Sequence, residues 1–88
     1  MMTDSEELAA KRLAVDKAIK DFISCQAEEH GQSDAYVLGW AAFAEYTSID
    51  LESEDATGNV VLVPDGQAGS MSRGLFDFGA DAFSRRLG

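Results

Sequence analysis

Apolar residues along the first third of the chain recur at helical spacing. Leu8, Val15, Ile19, Phe22 and Ile23 lie three, four or seven residues apart, the repeat that collects side chains on one face of an α-helix. On the remaining faces Lys11, Arg12, Asp16, Lys17, Lys20 and Asp21 alternate in sign, as on a solvated surface. The spacing predicts a helix over residues 4–29, with Asp4 or Ser5 as its cap and Glu6 and Glu7 in the positively polarised first turn. Gly31 stops it. A coiled-coil seam would need more heptads than this segment holds, so the stripe is expected to pack on the rest of the chain.

The middle of the chain changes pattern. Val60 to Val63 is a short apolar run between Gly58-Asn59 and Pro64-Asp65-Gly66, which reads as a strand between turns. A strand needs a partner for its backbone, and the other strand-like segment lies within residues 38–51. That segment is ambiguous: the preceding Ser33 and the three alanines Ala41, Ala42 and Ala44 favour a helix, whereas Tyr36, Val37, Trp40, Phe43, Tyr46, Thr47 and Ile49 favour a strand. The expected arrangement is a hairpin of about Leu38 to Ile49 with Val60 to Val63. The alternative keeps a helix to about Tyr46 and pairs only Ile49 to Leu51 with the second strand.

Residues 70–87 predict a closing helix, capped by Ser70 or Ser72, with Leu75, Phe78, Gly79, Ala82, Phe83 and Leu87 on its covered face. Gly74 and Gly79 each weaken it by about 1 kcal/mol relative to alanine unless they allow close packing on the sheet. Arg85 and Arg86 suit its negative end. The fold class expected is therefore α+β, one domain over residues 1–88, with helix, two-stranded antiparallel hairpin and helix in order and both helices on one sheet face. A two-stranded ribbon is marginal alone. A homodimer that joins two hairpins into a four-stranded sheet is expected.

Composition and charge narrow the function. The 88 residues are 45% hydrophobic and 26% charged, an ordinary globular balance. The apolar run at Ala41 to Ala44 is far short of the about 18 residues that span a bilayer, and Met1 to Ala10 is acidic where a secretory signal would be basic. A cytoplasmic location without a membrane anchor is expected. Cys25 is the only cysteine, so no internal disulfide exists. The net charge is −9, and residues 36–66 hold six acids and no base. Such a surface repels phosphate backbones and anionic lipids, so neither nucleic acid nor membrane is an expected partner.

The stretches Gly39-Trp40-Ala41-Ala42-Phe43-Ala44-Glu45-Tyr46, Asp55-Ala56-Thr57-Gly58-Asn59, Val60-Val61-Leu62-Val63-Pro64-Asp65-Gly66 and Gly74-Leu75-Phe76-Asp77-Phe78-Gly79 together resemble a family of short uncharacterised proteins of mycobacteriophages and related actinobacteriophages. The resemblance covers roughly the last 50 residues. It implies two strands joined by an acidic turn and followed by a helix, in a bacterial cytoplasm, and it implies no activity. Ser70-Met71-Ser72-Arg73 departs from the bulkier residues of that family.

No catalytic or metal constellation emerges. Asp50, Glu52, Glu54 and Asp55 alternate like calcium ligands, but an EF-hand loop starting at Asp50 would need Gly where Asp55 stands and Glu where Val61 stands. Ser72 sits in a poor nucleophile elbow, with Ser70 in place of its first glycine and His30 as the chain's only histidine. Cys25 and His30, five apart at a helix end, diverge in direction. Gly66-Gln67-Ala68-Gly69 lacks the lysine of a phosphate loop, and one cysteine with one histidine makes no structural zinc site. No cofactor is expected. The aromatics of residues 36–83 should be mostly core, with a surplus at an interface. The expected function is that of a non-enzymatic accessory protein that binds a host or phage protein with a basic surface through Trp40, Tyr46, Asp50, Glu52, Glu54, Asp55 and Phe76. The rivals are an acidic mimic of nucleic acid that occludes a DNA-binding protein, and a small enzyme.

Overall fold

A computed structural model describes residues 4–87. Its elements follow in the order α1 (Asp4–Glu29), β1 (Ala42–Tyr46), α2 (Ile49–Ser53), β2 (Gly58–Leu62) and α3 (Gly69–Leu87). The fold is α+β, with a helix, a two-stranded antiparallel hairpin and a helix in sequence, as the pattern predicts. Internal contacts divide the chain into two units, Met1–Leu38 and Gly39–Gly88. Each is described by itself.

The first unit is dominated by α1, a helix of 26 residues. Its end is set by backbone geometry. Gly31 adopts φ 75°, its N–H donates to the Glu28 carbonyl at 3.0 Å, and the Gln32 N–H donates to the Ala27 carbonyl at 2.9 Å. These two bonds form a Schellman turn, which needs a left-handed residue that glycine adopts without a Cβ clash. At the other end Asp4 and Ser5 are both already helical, and what precedes them lies outside the described residues. The predicted stripe is only partly covered: Val15, Ile19 and Ile23 are half-buried in a row continued by Ala27, while Leu8 and Phe22 are exposed. Periodicity shows which face is apolar but not how much non-local surface exists to cover it.

The second unit holds the sheet. Residues pair as Ala42 with Leu62, Phe43 with Val61, Ala44 with Val60, Glu45 with Asn59 and Tyr46 with Gly58. The strands lie inside or beside the expected segments, and Leu38 to Ala41, read as part of the first strand, precede it. Directly opposed residues share a face, so Phe43 and Val61 occupy one side of the ribbon and Ala44, Val60 and Tyr46 the other. Tyr46 closes over Gly58, whose missing side chain leaves room for the tyrosine ring.

Trp40, 7% exposed, is the one buried residue among those described. Continuing the strand register by two positions sets it against Pro64, which has no N–H to donate. The Gln67 side chain takes the place of that strand partner. Its Nε2 donates to the Trp40 carbonyl at 3.0 Å, and its Oε1 accepts from the Trp40 N–H at 3.3 Å. The same Nε2 lies 2.9 Å from Ser72 Oγ, and Ser72 in turn donates to the Ala68 carbonyl at 3.3 Å. Gly39 lies so close to Gln67 and Met71 that a side chain there would collide with both. The extended chain before β1 is thereby tied to the first turn of α3.

Two expectations for α3 are corrected. It starts at Gly69, so Ser70 and Ser72 lie within it rather than capping it. Its predicted covered face is mostly open: Leu75 and Phe76 are half-buried, but Phe78, Phe83 and Leu87 are exposed, and a Cβ at Gly74 or Gly79 would touch nothing within 4 Å. Those glycines serve no close packing on the sheet. The expectation of a mostly internal aromatic core falls with it, since Phe22, Tyr36, Phe43, Tyr46, Phe78 and Phe83 are all exposed. Within the second unit the cause is that α3 has little contact with either strand, so the ribbon does not cover its apolar face.

Candidate functional site

The chain between the two strands is more ordered than a solvated loop. Ser48 adopts extended backbone angles, and its Oγ accepts from the Leu51 N–H at 3.2 Å, which caps the short helix α2. Asp50 and Glu52 stand in its first turn, where carboxylates complement the positive end of the peptide dipoles. Ser53 Oγ donates to the Asp50 carbonyl at 2.7 Å. At the far end the Asp55 N–H donates to the Glu52 carbonyl at 3.0 Å and the Ala56 N–H to the Leu51 carbonyl at 2.9 Å. This repeats the Schellman turn of α1, with Asp55 at φ 55° in the place of Gly31. Aspartate tolerates that conformation better than most side chains.

The alternation of Asp50, Glu52, Glu54 and Asp55 suggests a solvated loop or a failed calcium loop and gives no sign of a helix; the sequence signal for it is Ser48, an N-cap residue type. Just before and after this turn, Thr57 Oγ1 donates to Glu45 Oε2 at 3.0 Å across the ribbon. Thr47, Glu52, Asp55, Ala56 and Thr57 line a shallow open hollow at the tip.

Of the sequence-predicted site residues, Tyr46, Asp50, Glu52, Glu54 and Asp55 come together at this tip, and all five are exposed. Phe76 belongs to α3 and is half-buried. Trp40 is corrected: it is buried and held through its backbone by Gln67, so its indole offers no surface to a partner. Gln67 lies in a Gly66-Gln67-Ala68-Gly69 segment that carries no motif, and its role depends on a register that only the paired strands define.

Elsewhere the chemistry is sparse. Cys25 is exposed and not in a disulfide. His30 follows α1, with its N–H donating to the Ala27 carbonyl at 3.0 Å. Among the described residues no group of three histidine, cysteine, aspartate or glutamate side chains is placed to hold a metal ion, and no helix is long and apolar enough to cross a membrane. The Lys17 amine, 2.7 Å from Asp21 Oδ2, has its pKa raised above 10.5 by that hydrogen bond and by the aspartate charge. Lys20 with Asp16 and Arg85 with Asp81 form two similar surface pairs. No protein-family model matches the chain, and neither curated proteins nor solved structures include one significantly similar to it.

Proposed function

We propose that this protein is a non-enzymatic accessory protein that binds another protein through the tip of its hairpin, and that the partner presents a basic surface. The observation that carries the reading is the construction of the tip. Four carboxylates and Tyr46 are exposed on a turn whose backbone is fixed by the Ser48 cap at one end and the Asp55 turn at the other. A surface that is ordered before binding loses less entropy on association. The likeness of residues 39–79 to short actinobacteriophage proteins gives the setting, a bacterial cytoplasm with a host or phage protein as partner.

Charge of this kind acts mainly on the rate of encounter. The test is a surface-immobilised capture from actinobacterial lysate, followed by kinetics with the purified captured protein, for the wild type and for a variant carrying Asp50→Asn, Glu52→Gln, Glu54→Gln and Asp55→Asn. The variant is expected to lose about tenfold or more in association rate at low salt, while the wild-type rate falls as salt rises past about 0.1 M and exposed charges are screened. If the variant associates as fast as the wild type at low salt, the acids only solubilise the chain, and the binding face must be sought around Phe76. Capture of a DNA-binding protein whose nucleic-acid site becomes occluded would instead favour mimicry of nucleic acid.

A further inference from the structure

The sheet has two strands in the order β1-β2, so each has an outer edge that no other strand among the described residues pairs with. The two edges differ in how they are protected. Strand edges are usually guarded by a charge, a proline or a bulge, because unpaired N–H and C=O groups otherwise recruit another chain. β1 carries Glu45, whose carboxylate accepts from Thr57. β2 reads Gly58-Asn59-Val60-Val61-Leu62 and has no charge, no proline and no bulge. Its central residues Asn59, Val60 and Val61 are exposed, the two valines at 47% and 55%.

The occupant of this edge follows from charge. Each copy of the chain bears −9, and residues 36–66 contain no base to offset their six acids, so two copies repel over most of this region. β2 is the stretch where they can meet without opposing carboxylates. A basic partner would gain nothing from a neutral strand, whereas an identical neutral strand matches it in length and in the absence of charge.

We propose that two copies of this chain pair antiparallel along β2, about a two-fold axis at Val60, to form one sheet in the order β1-β2-β2-β1. This surface is distinct from the acidic tip, so the inference stands independently of the proposed partner. The register sets Val60 against Val60 of the second copy, Asn59 against Val61 and Gly58 against Leu62. Because directly opposed residues share a face, Ala44 and Val60 of the two copies form one continuous apolar row. The pairing ends with the strand at Gly58 and Leu62, and beyond it the two copies, each bearing −9, repel. That repulsion gives the dimer a salt dependence opposite to that of a basic partner: salt screens it and tightens the pairing.

The test uses the full chain. Sedimentation or light scattering of the wild type at micromolar concentration should return twice 9.5 kDa, with a stronger dimer at 0.5 M salt than at 0.05 M. Val60→Lys, which places two like charges opposite each other, should weaken the dimer by about tenfold or more while leaving the helical circular dichroism intact. Should that variant unfold, Val60→Cys in a Cys25→Ser background decides the matter. Directly opposed Cβ atoms come as close as about 4.5 Å, at the upper end of the disulfide range, so oxidation should cross-link the pair far faster than Phe43→Cys in the same background, which should not cross-link. A mass of 9.5 kDa for the wild type across the micromolar range would overturn the proposal. So would a dimer that neither Val60→Lys disrupts nor Val60→Cys cross-links but that Phe83→Lys dissociates, which would place the contact on α3.

Discussion

The long helix and the hairpin unit are built by opposite means. Along α1 each feature is local: an apolar stripe, ion pairs four residues apart at Lys17–Asp21 and Asp16–Lys20, and a glycine turn that uses bonds within five residues. Exposed pairs of this kind contribute little to stability, and the helix end depends on one backbone conformation. The second unit depends on contacts between distant residues. Trp40 and Gln67 are 27 positions apart in sequence, yet Gln67 Nε2 gives the Trp40 carbonyl the donor that Pro64 lacks, and its Oε1 accepts from the Trp40 N–H. A 26-residue helix can thus be specified by its own sequence, whereas the chain leading into the hairpin is held by one buried indole and one amide.

The largest expected effect comes from removing that indole. Trp40→Ala leaves a cavity at the buried residue and should cost about 3–5 kcal/mol, which is comparable with the whole stability of a small domain. Heteronuclear NMR should show the amide dispersion of β1 and β2 collapsing while residues 4–29 keep their helical shifts. Loss of those helical shifts together with the sheet would break the comparison, because the two regions would then fold as one.

A smaller effect is expected at Gln67. Gln67→Met keeps the length of the side chain but removes its bonds to the Trp40 N–H, the Trp40 carbonyl and Ser72. The expected cost is about 2 kcal/mol. Hydrogen exchange should speed up at the Trp40 amide more than at Val60 or Phe43. Equal acceleration throughout the hairpin would mean that Gln67 holds the sheet itself rather than the strand leading into it.

The same contrast separates what was legible in the sequence from what was not. The C-terminal end of α1 and the existence of β2 were legible because Gly31 and the Gly58-Asn59 and Pro64-Asp65-Gly66 turns act on their own neighbours. The assignment of β1 to a strand followed from the need of β2 for a partner, although the alanines of that segment favour a helix. α2 was missed because five residues carry no periodicity and the acids of the tip drew attention to charge rather than to Ser48. The acidic part of the candidate site was legible as composition. Its shape was not, since composition is silent on the Asp55 turn. Burial was the least legible property. Trp40, Phe43 and Tyr46 look alike as apolar aromatics, yet among them only Trp40 is buried, at the point where Gln67 bonds its backbone and Met71 lies against Gly39.

The smallest expected effect compares the two helix ends directly, because the same turn occurs once in each unit with a different residue at its left-handed position. Gly31 has φ 75° and Asp55 has φ 55°. A side chain in that region costs about 1–2 kcal/mol, partly offset by the about 0.5–1 kcal/mol of extra backbone entropy that glycine loses on folding. Gly31→Ala should therefore destabilise α1 by about 1 kcal/mol, since a Cβ there meets no neighbouring atom and only the backbone conformation opposes it. Asp55→Gly should stabilise the hairpin unit by about 0.5 kcal/mol or more, with an added gain from removing a carboxylate beside the negative end of α2. Asp55→Asn separates the two causes, because asparagine tolerates the left-handed conformation and carries no charge. If Asn and Gly raise the melting temperature equally, the gain is electrostatic. If only Gly raises it, aspartate holds the turn at a conformational cost. A lower melting temperature for Asp55→Gly would mean that the carboxylate stabilises the tip through a contact of its own, and the turn could no longer be treated as the counterpart of the one at Gly31.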